Sequence, residues 1–217
     1  MQMLTSRTVI VSGAASGIGR ACAKRLIRDG NQVVVVDLDG DRLQDEFGGE
    51  TNTLKFAPGD VARSETANAA AQIALDAFGR VDCLAHFAAA HSKLNWESAD
   101  EDEFNRILSI NVTGSFLMAK AAAKVMIDQG IKGAMVLTAS GGVFMGGTGE
   151  NGRGGPAYTT SKGGVLILVR TLAKSWGKHG IRINAISPGV VETAMTKEYT
   201  DEAMQGAADR AALRRVS

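Results

Sequence analysis

Short apolar runs dominated by β-branched residues alternate along this chain with longer segments of mixed polarity. Such runs are typical of strands buried on both faces of a parallel sheet, and the longer segments are typical of helices that cover it. The predicted strands are Thr8–Ser12, Gln32–Val36, Thr53–Ala57, Val81–Ala89, Ala134–Thr138 and Ile181–Ile186. The pattern therefore predicts an α/β fold, a doubly wound parallel sheet of the Rossmann type with helices on both faces.

Helices are predicted in the segments between these strands. They are Arg20–Arg28, a short helix within Asp39–Gly49, Ser64–Phe78, two stretches on either side of Asn111, a helix from Tyr158 to about Lys178, and an amphipathic segment at Thr196–Val216. Linkers, low-complexity tracts and repeats are not evident in the sequence. We therefore expect a single domain over residues 1–217.

Composition and charge argue against several classes of function. The formal net charge is +1 and 22% of residues are charged, so a nucleic-acid partner is not indicated. The apolar runs Val33–Val36 and Val165–Val169 are too short to span a bilayer. A strand is predicted to begin at Thr8, so a signal peptide is not expected before it. Cys22 and Cys83 lack metal-ligand spacing and are expected to be core thiols, so we predict a reducing, cytoplasmic location and no metal.

A glycine-dense loop, Gly13–Gly19, directly follows the first predicted strand. A helix and a second strand come next, and that strand ends at Asp37. This order is the layout of a dinucleotide-binding unit, in which glycines let the backbone approach a pyrophosphate at a helix N-terminus. Asp37 is placed to accept hydrogen bonds from an adenosine ribose and would repel a 2′-phosphate. The sequence therefore favours NAD over NADP.

Tyr158 and Lys162 are four residues apart, so they share one face of a helix. A nearby ammonium favours the phenolate and is expected to lower the pKa of the tyrosine, although burial acts in the opposite direction. A phenol tuned in this way is suited to general acid–base catalysis. A solvent-exposed Tyr–Lys pair would have the same spacing.

Together these residues resemble the short-chain dehydrogenase/reductase family over nearly the whole chain. The matching positions are Ser12–Gly19, Asp60-Val61, Asn111, Ser140, Tyr158, Lys162 and Pro188–Thr193. The resemblance implies a catalytic set of Asn111, Ser140, Tyr158 and Lys162. It implies cofactor contacts at Gly13, Ser16, Gly17, Ile18, Gly19, Asp37, Asp60, Val61, Ala88, Tyr158, Lys162, Pro188, Gly189, Val191 and Thr193.

The resemblance also implies a role for each catalytic residue. Tyr158 would exchange a proton with the substrate oxygen, Lys162 would bind the nicotinamide ribose, and Ser140 would donate a hydrogen bond to the substrate oxygen. Asn111 would hold a water that connects Lys162 to solvent. The alternatives are a turn serine, a capping asparagine and a solvated lysine.

The chain departs from the family pattern in three places. His86-Phe87-Ala88-Ala89 stands where Asn-Asn-Ala-Gly is usual, and His86 is either a buried supporting residue or a base. The segment between Ser140 and Tyr158 is longer than usual, and its extra residues, Gly146–Gly155 with Glu150, Asn151 and Arg153, either shape the substrate pocket or extend into solvent. The usual seventh strand is absent from this sequence, so the chain is either truncated or given without its tail.

The predicted function is an NAD-dependent oxidoreductase that interconverts a small-molecule alcohol and a carbonyl. Two alternatives are an NADPH-dependent 3-oxoacyl-type reductase and a nucleotide-binding protein without turnover. Apolar residues run around the whole of the helices at 112–127 and 157–178, which predicts burial on more than one side. We expect a homodimer through these helices rather than a tetramer.

Overall fold

Six parallel strands form one sheet in the computed structural model, which describes residues 6–149, 153–197 and 199–216. The strands are β1 (Thr8–Ser12), β2 (Gln32–Asp37), β3 (Leu54–Pro58), β4 (Cys83–His86), β5 (Ala134–Thr138) and β6 (Arg182–Ile186). Their order is β3-β2-β1-β4-β5-β6, so the direction of winding reverses between β1 and β4. The predicted doubly wound α/β fold is confirmed.

Seven α-helices lie in the connections and after the last strand of the described chain. They are α1 (Gly17–Arg28), α2 (Gly40–Phe47), α3 (Ser64–Phe78), α4 (Glu101–Leu108), α5 (Gly114–Asp128), α6 (Pro156–Trp176) and α7 (Asp201–Arg210). A π-helical turn at Ser109–Thr113 joins α4 to α5. Short 3₁₀ turns occupy Gly141–Phe144, Gly177–His179 and Ala194–Thr196.

Local sequence explains several helix ends. The Asp39 side chain accepts from the Arg42 N–H and caps the start of α2. Gly79, with a left-handed backbone, ends α3 at the predicted residue. Pro156 occupies the first turn of α6, where its missing N–H costs nothing.

Two hydrophobic clusters pack on opposite faces of the sheet. Successive side chains of a strand point to opposite faces, so a strand covered on both sides is apolar throughout. One cluster contains Val9, Val11, Val33, Val35 and Leu43 and is covered by α1 and α2. The other contains Ile10, Val34, Val36, Met118 and Val165 and is covered by α3, α5 and α6.

Two predicted elements were too long. The predicted strand Val81–Ala89 pairs only over Cys83–His86, because the next backbone groups turn toward other partners: Ala88 N–H points to Ser12 Oγ at 3.4 Å and Ala90 N–H to Asn111 Oδ1 at 2.8 Å. The predicted helix Thr196–Val216 is α-helical only over Asp201–Arg210. In contrast, α1 begins at Gly17, three residues before its predicted start at Arg20, because the end of the glycine loop is itself the first helical turn.

One continuous helical segment, Glu101–Asp128, is long and apolar enough by composition to cross a membrane. Half of its most apolar window is buried inside the fold. A core helix that covers a sheet has the same length and composition, and α5 does pack on the sheet through Met118, Ala122 and Met126. We therefore interpret the segment as a core helix.

Candidate active site

A cleft of about 980 Å³ opens at the carboxyl ends of the strands. It lies where the winding reverses between β1 and β4, which is the usual ligand position in doubly wound sheets. Every predicted cofactor residue lines it, namely Gly13, Ser16, Gly17, Ile18, Gly19, Asp37, Asp60, Val61, Ala88, Tyr158, Lys162, Pro188, Gly189, Val191 and Thr193. Ser140 lines it as well, whereas Asn111 lies behind the wall.

The glycine loop packs tightly, and its glycines have no side chain, so a pyrophosphate can approach its backbone closely. Gly13 has a φ of +68°, and a Cβ there would lie 2.6 Å from the Ala88 nitrogen. A Cβ on Gly19 would overlap the Gly13 carbonyl oxygen. Ser16 makes no side-chain cap to α1 and the first turn has no acidic residue, so the N–H groups at this helix N-terminus suit an anion.

Asp37 lies at the carboxyl end of β2, beside the glycine loop. Its Oδ2 accepts from the Ala15 N–H at 2.9 Å and its Oδ1 from the Asp39 N–H at 3.3 Å. These bonds fix the carboxylate against the loop while leaving it on the cleft wall. A carboxylate held there can accept from ribose hydroxyls and would repel a phosphate.

Tyr158 and Lys162 lie in the first half of α6, and the lysine is almost fully buried. The Lys162 side chain is 2% exposed, and Nζ donates to the Thr138 carbonyl at 2.8 Å. Nζ also lies 5.8 Å from the centre of the Tyr158 ring. Burial lowers the pKa of Lys162 to about 8, so the ammonium form predominates at neutral pH.

The prediction that Lys162 lowers the pKa of Tyr158 is wrong, because the surroundings of Tyr158 in the protein raise its pKa. Burial raises the pKa of Tyr158 above its ordinary value, a hydrogen bond with Ser140 lowers it, and the Tyr199 hydroxyl raises it further. The physical reason lies in the lysine, because its ammonium is directed to the Thr138 carbonyl rather than to the phenol oxygen. Burial therefore outweighs the charge.

Ser140 and Asn111 are held by local bonds. The Ser140 hydroxyl oxygen accepts from the Gly142 N–H at 3.2 Å as it caps the 3₁₀ turn. Asn111 is buried in the π-helical turn, where Oδ1 accepts from the Ala90 N–H and Nδ2 donates to the Ala90 carbonyl and to Ser161 Oγ at 2.8 Å. These bonds tie the segment after β4 to α6. The water relay expected at Asn111 stays a prediction.

His86 is buried close enough to Lys162 for the charge of the lysine to act on its imidazole. Its Nδ1 lies 2.6 Å from Ser12 Oγ on the neighbouring strand, and Nε2 has no hydrogen-bond partner among the described residues. Burial, followed by the charge of Lys162, lowers the pKa of His86 to about 3. A histidine that stays neutral in this position supports Ser12 and the strand end, which agrees with the first of the two predicted roles.

The long segment before α6 packs against the site where it is described. Gly155 N–H donates to the Ser92 carbonyl at 2.8 Å, and a Cβ on Gly154 would overlap the Tyr158 ring. Gly146, Gly147, Thr148 and Arg153 line the cleft. These residues therefore shape the pocket, as one of the two alternatives predicted. Glu150 and Asn151 lie outside the described residues.

Sequence reasoning missed a group of residues around Tyr158. The His91 ring lies 4.8 Å from the Tyr158 ring, and the Tyr199 ring lies 6.2 Å from His91. Tyr199, Arg210 and Arg215 line the cleft together with Arg153, which the sequence had placed only in the long loop. No motif marks these positions, since they reach the cleft from loops and from α7.

Metal-ligand clusters of three or more His, Cys, Asp or Glu side chains do not occur in the described part of the chain. Cys22 and Cys83 are free thiols whose pKa values burial raises. Both side chains are half-buried rather than fully inside the core as predicted, and a thiol held in its protonated form is a poor nucleophile. The cytoplasmic location inferred from these cysteines stays a prediction.

Comparison with known proteins agrees with this architecture. A family model described as Enoyl-(Acyl carrier protein) reductase matches residues 13–217. The crystal structure of a short-chain dehydrogenase/reductase, a glucose/ribitol dehydrogenase from Brucella melitensis, superposes with a TM-score of 0.90 at 25% identity, over 100% of this chain and 86% of that one. The chain belongs to the short-chain dehydrogenase/reductase family.

Curated members of this family oxidise or reduce varied substrates. The 2,5-dichloro-2,5-cyclohexadiene-1,4-diol dehydrogenase of Sphingobium indicum is 35% identical over 202 residues, which are 93% of this chain and 79% of that protein. The levodione reductase of Leifsonia aquatica is 35% identical over 202 residues, 89% of this chain and 72% of that protein. The L-rhamnose-1-dehydrogenase of Scheffersomyces stipitis is 30% identical over 203 residues, 90% and 77% respectively. This short-chain dehydrogenase/reductase is therefore related to oxidoreductases of alcohols and carbonyls, and its family uses nicotinamide cofactors.

Proposed function

We propose that this short-chain dehydrogenase/reductase interconverts an alcohol and a carbonyl with NAD as its cofactor and Tyr158 as general acid/base. One observation carries the proposal: Tyr158, Lys162 and Ser140 line the same cleft as the glycine loop and Asp37. The bare backbone at Gly13 and Gly19 and the uncapped N-terminus of α1 fit a dinucleotide. When bound, the nicotinamide supplies or accepts the hydride.

The side chains of the chain handle the proton and the developing charge. In reduction, the neutral Tyr158 phenol donates its proton to the substrate oxygen, and in oxidation the phenolate form of Tyr158 takes the hydroxyl proton from the substrate. Ser140 lies on the cleft wall and interacts with Tyr158, so its hydroxyl can donate to the substrate oxygen. Lys162 brings a positive charge within 5.8 Å of the tyrosine ring centre and favours the phenolate as it forms.

Asp37 supports the choice of NAD. Its carboxylate is fixed by the Ala15 N–H at the end of β2, on the cleft wall. A phosphate a few Å from a carboxylate costs about 1–4 kcal/mol, depending on screening. NADH should therefore bind tighter than NADPH, by about 5-fold or more.

Fluorescence titration with NADH and NADPH tests this choice. Asp37→Ala should narrow the difference in affinity, because it removes the repulsion from NADPH and the acceptor for NADH. Asp41→Ala is the matched control, since Asp41 is an exposed carboxylate in the first turn of α2 that does not line the cleft. Equal affinity of the unaltered protein for the two cofactors would contradict the assignment.

Turnover assays with the same purified protein also distinguish the proposed function from two rival functions. The first rival is an NADPH-dependent reductase of 3-oxoacyl thioesters; the matching family model is described as a reductase of enoyl thioesters, which are related acyl substrates but are reduced at a carbon–carbon double bond. A nucleotide-binding protein without turnover would bind NADH and reduce nothing. A turnover assay with an alcohol panel and NAD, followed by a 3-oxoacyl thioester with NADPH, distinguishes all three.

A further inference from the structure

The cleft is basic on the side formed by α7 and the loop before α6. Arg153, Arg210 and Arg215 line it there, while the acidic residues among its described lining are Asp37 and Asp60, at the ends of β2 and β3. Arg106 also lines the cleft, but Glu103 binds it with two hydrogen bonds of 2.7 and 3.0 Å. The three other arginines have no such partner among the described carboxylates.

The guanidinium groups of Arg153 and Arg210 lie close to each other beside Gly206 of α7. The position that a methyl group would take on Gly206 of α7 lies 3.4 Å from Nη1 of Arg210 and 3.6 Å from Nη2 of Arg153. Arg153 Nη2 also donates to the Ala203 carbonyl at 3.4 Å, which joins the loop to α7. Two cations brought this close repel each other unless an anion lies between or beside them.

The arginine pair lies next to the reacting groups. Arg153 precedes Gly154, whose backbone packs on the Tyr158 ring. The charge of Arg153 also lowers the pKa of Tyr199, against the burial that raises it, so the guanidinium is close to that phenol. Tyr199 in turn lies against His91, which contacts Tyr158. A molecule whose hydroxyl meets Tyr158 can therefore reach the arginines with its other end.

We propose that Arg153 and Arg210 bind an anionic group of the substrate, either a carboxylate or a phosphate ester. The planar fork of arginine matches both groups with paired hydrogen bonds. The inference rests on the proposed function, since it names the substrate class for the same site: a hydroxy acid or phosphorylated alcohol and its oxo counterpart. In the oxidation, a bound NAD would accept the hydride and the phenolate form of Tyr158 the hydroxyl proton, so the anionic group itself is unchanged.

Matched substrate pairs test the proposal. A panel of short hydroxycarboxylates is compared with their methyl esters, and a panel of sugar and polyol phosphates with the parent alcohols, each with NAD. The charged member of at least one type of pair should have the higher kcat/KM. Whichever type is preferred identifies the anion as carboxylate or phosphate.

Variants then connect this preference to the two arginines. Arg153→Gln and Arg210→Gln should each lower kcat/KM for the charged member about 10- to 100-fold, mainly through KM, because each removes charge-assisted hydrogen bonds. The uncharged member and the affinity for NADH should change little. Arg214→Gln is the control, because Arg214 lies in the same C-terminal segment and does not line the cleft.

Binding measured without turnover gives an independent result. Calorimetry with NADH-saturated protein measures the binding of butyrate, butyramide and inorganic phosphate. We expect at least one of the two anions to bind to the wild type and uncharged butyramide not to bind. The Arg153→Gln and Arg210→Gln variants should no longer bind the anion. Equal kcat/KM within every pair, or a fall in NADH affinity in the arginine variants, would overturn the proposal. If no alcohol is oxidised but an anion still binds through these arginines, the proposed function fails and the anion site stands.

Discussion

Burial sets the protonation of the side chains that surround the reacting position. Lys162 and His86 are both buried near each other, and the charge of the lysine disfavours a second positive charge on the imidazole. The lysine pKa is lowered to about 8 and the histidine pKa to about 3, so at neutral pH only the lysine is charged. The Tyr158 pKa is raised by the same burial. At neutral pH the charged Lys162 therefore lies beside a neutral Tyr158 and a neutral His86.

Tyr158→Phe should abolish turnover and leave the fold intact. The substitution keeps the ring that packs against Gly154 and His91 and removes the hydroxyl that we propose as the general acid/base. General acid–base groups contribute about 10²- to 10⁴-fold, so kcat should fall by at least that factor. Steady-state kinetics with circular dichroism checks both parts. Near-normal turnover of a genuine substrate would show that another group carries the proton.

His86→Asn should make the protein more resistant to acid. The unfolded histidine has a pKa of about 6.5 and the folded one about 3, so between these values the unfolded state binds the extra proton. The wild-type free energy of unfolding should therefore fall as the pH drops below 6.5, by about 1.4 kcal/mol per pH unit from this group. Asparagine cannot titrate, and it can still hydrogen-bond to Ser12.

Urea unfolding between pH 4.5 and pH 7 measures that slope. The difference between wild type and His86→Asn isolates the histidine, because the other groups contribute to both proteins. His179→Asn, which replaces an exposed histidine, should keep the wild-type slope. Identical slopes for wild type and His86→Asn would mean that His86 is protonated in the folded protein.

At the scale of elements, the cleft is stabilised by two glycine-containing segments whose backbone packs directly against neighbouring backbone. The glycine loop packs on the segment after β4 through Gly13 and Ala88. The loop before α6 packs on the segment around Leu94, where a Cβ on Gly155 would overlap the Leu94 carbonyl oxygen. Both contacts bring backbone against backbone, which only glycine permits. They fix the N-terminus of α1 and the N-terminus of α6 on opposite sides of the same cleft.

Gly155→Ala should destabilise the protein and reduce turnover. The backbone of Gly155 has a φ of −84°, which alanine adopts without strain, so the effect comes from the contact with Leu94 alone. Overpacking of this kind costs about 1–3 kcal/mol, and it displaces the turn that precedes Tyr158. Gly177→Ala is the control, because an added Cβ meets no atom within 4 Å and should stabilise by up to about 1 kcal/mol. Urea unfolding measures the free energy of unfolding of both variants and of the wild type. If Gly155→Ala is as stable as Gly177→Ala, the contact between Gly155 and Leu94 is loose enough to admit a methyl group.

At the scale of the whole molecule, α5 and α6 each leave an apolar side chain exposed to solvent. α5 and α6 cover the same face of the sheet, yet each also presents apolar side chains outward, with Phe116 37% and Ile167 61% exposed. Exposed apolar side chains on neighbouring helices are typical of a protein–protein contact. We therefore propose, as the sequence predicted, that a second copy of the chain pairs through these helices about a two-fold axis.

Sedimentation at micromolar concentration should give a homodimer. Ile167→Asp should shift it to monomer, because a carboxylate in an apolar contact must be desolvated without a partner. Leu213→Asp is the control, since Leu213 is 75% exposed and lies in the C-terminal segment, away from these helices. A monomeric wild type would refute the proposed contact, and a stable tetramer would require further contacts elsewhere.

The sequence by itself determined the features that depend on local pattern. Valine runs predicted strands covered on both faces, the glycine loop and Asp37 predicted the dinucleotide end of the cleft, and the spacing of Tyr158 and Lys162 predicted a shared helix face. Each of these follows from the period of an element or from a residue type at a fixed position in it. They were readable because the interacting residues lie close together in the chain.

Only the tertiary structure decided the features that depend on contacts between distant segments. β4 ends at His86 because Ser12 and Asn111 accept hydrogen bonds from the N–H groups of Ala88 and Ala90, which follow it. The pKa of Tyr158 is raised because packing buries it while Lys162 bonds to Thr138. Arg153 meets Arg210 only because α7 folds back over the cleft. Burial and charge at a site are sums over neighbours in space, and the order of residues along the chain does not contain that list of neighbours.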